Sequence, residues 1–138
     1  MAAFVLAVAL TAALGTAVSA QLTLTELVNL GVAVTDQQRI EVTLHDLRMM
    51  APLYAAVVAV GFLIALTTAG FMALLLPSFR RIVFLVAGAA AILTALYLMR
   101  ELMGFQVLAG ARTSFGLAMQ VLCGAIGGYF FALIKRAA

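Results

Sequence analysis

Charge is the scarcest property of this chain: of 138 residues only 9% are charged and 67% are hydrophobic, against roughly 25% and about 45–50% in an average soluble domain. Folding removes only about 70% of the surface of a chain this long from water, and the remainder must be largely wettable. The shortage of charge therefore excludes an ordinary soluble fold and leaves lipid as the solvent. Cysteine occurs once, as Cys123, which rules out an intramolecular disulfide. With no imidazole or charge near it in sequence to favour the thiolate, Cys123 reads as a small buried hydrophobe rather than a nucleophile.

Histidine is also single. His45 beside Asp46 does not supply the converging ligands of a metal site. No histidine falls inside an apolar span to hold a haem, and Met72 with Met99 is a weak substitute. No cofactor is expected. The spans also lack a mid-membrane ionisable residue, the usual mark of coupled transport. The hydroxyls of Thr67, Thr68 and Thr94 have no acid or imidazole at helical spacing, so transfer chemistry, which needs a base within reach of its nucleophile, is not indicated. These absences predict a protein that is not an enzyme. The eight basic residues outnumber five acids for a net charge of +3. They are scattered between hydrophobic stretches as topology signals, so no nucleic-acid partner is expected.

The sequence does hold four apolar stretches, at residues 2–20, 51–76, 82–99 and 115–134. Each approaches or exceeds the roughly 20 residues that cross a bilayer core of about 30 Å. The expected fold class is an all-α integral membrane protein, a four-transmembrane-helix bundle forming one domain over residues 1–138. Its site is the inner or plasma membrane. Residues 2–20 have a second reading as a signal peptide ending at Val18-Ser19-Ala20, although the Met-Ala-Ala-Phe start lacks a basic n-region. Pro52 and Pro77 are expected to mark the first turn and the end of the second span. That span, about 39 Å as a helix, must tilt or protrude. The short Ser78-Phe79-Arg80-Arg81 connection predicts that the second and third spans are antiparallel neighbours.

Residues 21–50 carry Glu26, Asp36, Glu41, Asp46, Arg39, Arg48 and His45, and are expected as a 30-residue outer loop. The β-branched runs at 31–34 and 40–44, around Thr35-Asp36-Gln37-Gln38, suggest a short β-hairpin within it. If the first span starts inside, the inner segments hold Arg80, Arg81, Lys135 and Arg136 and no acid. The outer segments hold four arginines and all five acids. Both termini are then cytoplasmic. Removal of residues 2–20 would change only the side of the amino terminus.

Two groups of residues stand out. Gly116, Gln120, Gly124 and Gly128 recur at four-residue steps and predict a smooth helix-packing face, with Ala87, Ala91 and Ala95 as a similar strip on the third span. His45, Asp46, Arg48, Arg100, Glu101 and Arg112 are expected at one outer interface, either as an ion-pair belt or as a site for an anionic headgroup, a proton or a peripheral partner. The expected partners are the lipid bilayer and either further copies of the chain or other membrane-protein subunits. The leading expectation is an accessory, assembly or scaffolding subunit. An oligomeric channel or carrier lined by Gln120, Thr67, Thr68 and Thr94 is the alternative. A lipid-binding protein using Arg48, Arg100 and Arg112 is the third reading.

Overall fold

A computed structural model describes residues 1–104 and 112–137. They form α1 (Ala2–Asn29), α2 (Asp36–Leu75), a 3-10 turn (Pro77–Phe79), α3 (Arg80–Met103) and α4 (Ser114–Ala137), with no strand among the described residues. All four helices are long and apolar enough to cross a membrane. In the most apolar window of each, no more than 39% of the residues are buried inside the bundle. Leu63, Ile64, Phe71, Val86 and Leu93 accordingly face outward, the reverse of a water-soluble bundle, whose apolar stripe faces its core.

The expected outer loop over 21–50, with its β-hairpin, is instead a helical hairpin, and two sequence signals explain it. The first stops α1. Gly31 takes φ 86, and the N–H groups of Val32 and Gly31 donate to the carbonyls of Leu27 and Val28 at 3.1 and 3.0 Å, the paired closure by which a glycine ends a helix. The second starts α2. The Gln38 N–H donates to Thr35 Oγ1 and the Thr35 N–H donates to Gln38 Oε1, at 3.4 and 3.0 Å, so Thr35-Asp36-Gln37-Gln38 is a capping box rather than a β-turn. Asp36 adds a negative charge in the first turn, where the helix dipole favours it. Against this the β-branched residues of 40–44 weigh little, each at most about 0.7 kcal/mol in helix propensity. Thr35→Ala is expected to cost about 1 kcal/mol at this terminus. Hydrogen exchange should show faster amides at residues 36–40 and no change at 55–65.

The two extensions hold each other. Gln21 Nε2 donates to Thr43 Oγ1 at 3.0 Å, the Arg39 guanidinium donates to Gln21 Oε1 at 3.4 Å, and Leu24 is buried. Pro52, expected at a first turn, lies inside α2. Its ring removes the N–H that would bond the Arg48 carbonyl and crowds that carbonyl, at a cost of about 3 kcal/mol or more. Pro77 does mark an end, opening the 3-10 turn that leads to α3. Beyond the expected third span at 82–99, α3 continues to Met103 and closes on Gly104 at φ 68. Residues 105–111, between α3 and α4, lie outside the described residues.

The helices pack α1 on α2, α2 on α3, α3 on α4 and α4 back on α1, a closed antiparallel ring. The α3–α4 pair is the closest. A Cβ added to Gly88 would strike the Gly124 carbonyl oxygen, and one on Gly128 would strike that of Phe84. The α2–α3 pair meets where Gly61 lies under the Ala91 carbonyl, an added Cβ falling 3.3 Å from its oxygen. That register brings the end of α3 level with about residue 49 of α2. Residues 36–48 therefore project beyond the end of α3 by about 20 Å at 1.5 Å per residue.

Candidate functional site

Polar side chains enclosed in the bundle gather on α1 and meet α4. Thr11, Thr16 and Gln120 are at most 1% exposed and Ser19 is 6% exposed. Gln120 is the centre. Its Nε2 donates to the Gly15 carbonyl at 2.7 Å and its Oε1 accepts from the Tyr54 hydroxyl at 3.1 Å. Three helices thus converge on one amide. Gly15 makes this possible, since a Cβ there would come 2.7 Å from both Gln120 Oε1 and Tyr54 Cε1. Through this gap α2 reaches α4 across the diagonal of the ring. Two turns away the arrangement recurs: Gly127 receives Thr11, and an added Cβ would lie 3.2 Å from the Phe62 ring.

The other hydroxyls are less connected. Thr11 Oγ1 donates back to the Ala7 carbonyl at 2.8 Å. Thr16 Oγ1 is buried with no hydrogen-bond partner among the described residues. Thr67 and Thr68 face outward and donate to carbonyls of their own helix, at 2.6 Å to Leu63 and 2.8 Å to Ile64. Thr94 faces outward on α3. Gln120, Thr67, Thr68 and Thr94 therefore do not line one path within a single chain.

The four predicted packing residues serve three different contacts. Gly124 and Gly128 meet α3 at Gly88, Ile92 and Phe84, while Gln120 faces α1 and α2. Gly116 is buried in the first turn of α4, its N–H donating to Thr113 Oγ1 at 3.1 Å. A four-residue step turns a helix of 3.6 residues per turn through about 400°. Each step therefore rotates the face by about 40°, and Gly116 and Gly128 end up about 120° apart. The face that Gln120 shares is the seven-residue one, with Gly127. On α3, Ala91 and Ala95 are buried as expected.

The six predicted interfacial residues all lie toward one end of the bundle. His45, Asp46 and Arg48 are on the projecting part of α2, Arg100 and Glu101 close α3, and Arg112 precedes α4. All but the half-buried Asp46 are exposed. Among the described residues no ion pair or side-chain hydrogen bond joins any of them. Arg100 lines a groove, with Tyr97 and Leu117, between α3 and α4. Among the described residues no three His, Cys, Asp or Glu side chains are grouped to hold a metal ion.

Sequence reasoning passed over Tyr54 and the α1 strip of Thr11, Gly15 and Ser19. The strip had a signal, since small residues at four-residue spacing mark close helix contact. Tyr54 had none, because only the folded register brings it to Gln120. Comparison with known proteins returns no relative: no protein family, no curated protein and no solved structure matches the chain.

Proposed function

We propose that this chain is a non-enzymatic multi-pass membrane protein, an accessory or assembly subunit that engages a partner through the projecting α1–α2 hairpin. The observation that carries the reading is the length of α2. Its 40 residues extend about 60 Å, twice a bilayer core of about 30 Å, whereas α3 and α4 at 24 residues each match one crossing. On the part that stands clear, Ile40 and Leu44 are 61% and 62% exposed, one turn apart among charged neighbours. An exposed apolar stripe with a polar rim is the usual surface of a helix-mediated contact. The enclosed Gln120 contact serves to hold the bundle that presents it.

The membrane is the inner or plasma membrane with both termini cytoplasmic, because Arg80, Arg81 and Lys135 gather at the end of the bundle that carries no acid. Retention of α1 is supported by the carbonyl it supplies to Gln120. Intact mass of the purified chain checks this directly.

The test of the contact uses a photo-crosslinking amino acid placed at position 40 or 44 in intact membranes, with the exposed position 45, turned about 100° or more from both, as control. The expected result is one adduct of fixed mass from 40 and 44 and none from 45, abolished by Ile40→Ser with Leu44→Ser. Equal labelling from all three positions, or lipid adducts alone, would refute it.

A further inference from the structure

At the opposite end of the bundle, beside the amino-terminal turn of α1, an apolar slot of about 380 Å³ opens between α2 and α4. Phe4 of α1 walls it, Phe62 and Phe131 lie deeper, and Leu74 and Lys135 stand toward its mouth. The Lys135 ammonium sits 5.8 Å from the centre of the Phe131 ring, held by the ring's electron-rich face. From Phe62 to Leu74 the α2 wall runs about 18 Å, close to the roughly 15 Å depth of one leaflet of hydrocarbon. The bottom of the slot is closed where Phe62, fully buried, packs beneath Gly127.

The charge around the mouth is of one sign. Arg80, Arg81 and Lys135 lie at this end, while all five acids of the chain fall at residues 26–46 and 101, at the other. Gly70 is open: a Cβ there would meet nothing within 4 Å. That leaves room for an acyl chain between the aromatic walls. Among the described residues Lys135 is the one ionisable group lining the slot.

We propose that this slot is a binding site for one anionic phospholipid, its acyl chain along Gly70 and Phe131 and its phosphate at Lys135. The inference rests on the bundle spanning a bilayer. An apolar slot of one-leaflet depth excludes a soluble anion as the main occupant, because burying the aromatic and aliphatic walls requires hydrocarbon. Lys135 at the mouth, with Arg80 and Arg81 at the same end and no acid there, selects a negative headgroup over a zwitterionic one.

The test reconstitutes the full chain into vesicles of phosphatidylcholine with a minor fraction of phosphatidylglycerol, then extracts it gently and weighs the complexes by native mass spectrometry. Wild type should retain one lipid, with phosphatidylglycerol enriched several-fold over its share in the vesicles. Lys135→Gln should keep a lipid but lose the enrichment, and Gly70→Leu, which fills the slot, should lose the lipid. Slow thiol labelling of buried Cys123 shows that each variant is folded. Wild type retaining both lipids in the vesicle ratio, or Gly70→Leu retaining lipid as wild type does, overturns the proposal while leaving the membrane reading intact. Protein that washes off the vesicles at alkaline pH overturns both.

Discussion

Gly88→Leu is expected to break the α3–α4 pair. The added Cβ alone would strike the Gly124 carbonyl oxygen and would lie 3.0 Å from the Gly128 backbone. Neither obstacle is the end of a flexible side chain, so relief requires the two helices to separate. Overpacking of a filled interior costs typically about 1–3 kcal/mol. With backbone on the opposing side and three further carbons to place, about 3 kcal/mol or more is expected. Cys123 reports the result, being the one thiol and 4% exposed on α4. Since about 1.4 kcal/mol is tenfold in an equilibrium, maleimide labelling of Cys123 should accelerate by about 100-fold or more. Gly70→Leu, at a glycine with open space around it, should leave the rate unchanged. Labelling of Gly88→Leu at the wild-type rate would mean that α3 and α4 do not pack at this distance.

The second large effect belongs to Gln120. Gln120→Leu keeps nearly the same volume but strands the buried Tyr54 hydroxyl, which loses its acceptor at 3.1 Å. A buried polar group left unpaired costs about 1–3 kcal/mol, whereas removing both partners can be close to neutral. Tyr54→Phe strands Gln120 Oε1 in turn but keeps the amide's bond to the Gly15 carbonyl, so it is expected to be milder than Gln120→Leu, and the double variant less damaged than the sum of the two. Thermal or detergent-denaturant unfolding of the four proteins gives the coupling, expected at about 0.6 kcal/mol and at most about 1.7 kcal/mol, the average and the maximum for hydrogen bonds between membrane helices. Strict additivity would show that the amide and the phenol do not meet.

The helices themselves were legible because apolar length is a strong signal. The third and fourth spans each lie within one observed helix, the second runs one residue past the end of α2 at Leu75, and Pro77 marks a real boundary. The 21–50 segment was misread because local residue type was weighed above capping. Gly31 and the Thr35–Gln38 pair are a helix stop and a helix start only four residues apart, and they settle the intervening turn more firmly than β-branched composition does. The glycines of α4 were recognised as packing positions. Their division between α1 and α3 was hidden by the 40° drift of a four-residue repeat. The partner of Gln120 was beyond reach, because Tyr54 is 66 positions away and no spacing rule links residues on different helices.

The three-helix meeting at Gln120 also imposes an order of assembly. The chain is made from its amino terminus, so α1 and α2 exist while α4 is still unsynthesised. Until then Tyr54 has no acceptor, and the cleft formed by Thr11 and Gly15 has nothing to fill it. The final helix is thus the keystone of the ring: it delivers the amide that joins the first helix to the second. A nascent chain stalled before α4 leaves a polar, small-residue seam uncovered. That seam distinguishes an unfinished protein from a finished one without any change in the three helices already in place.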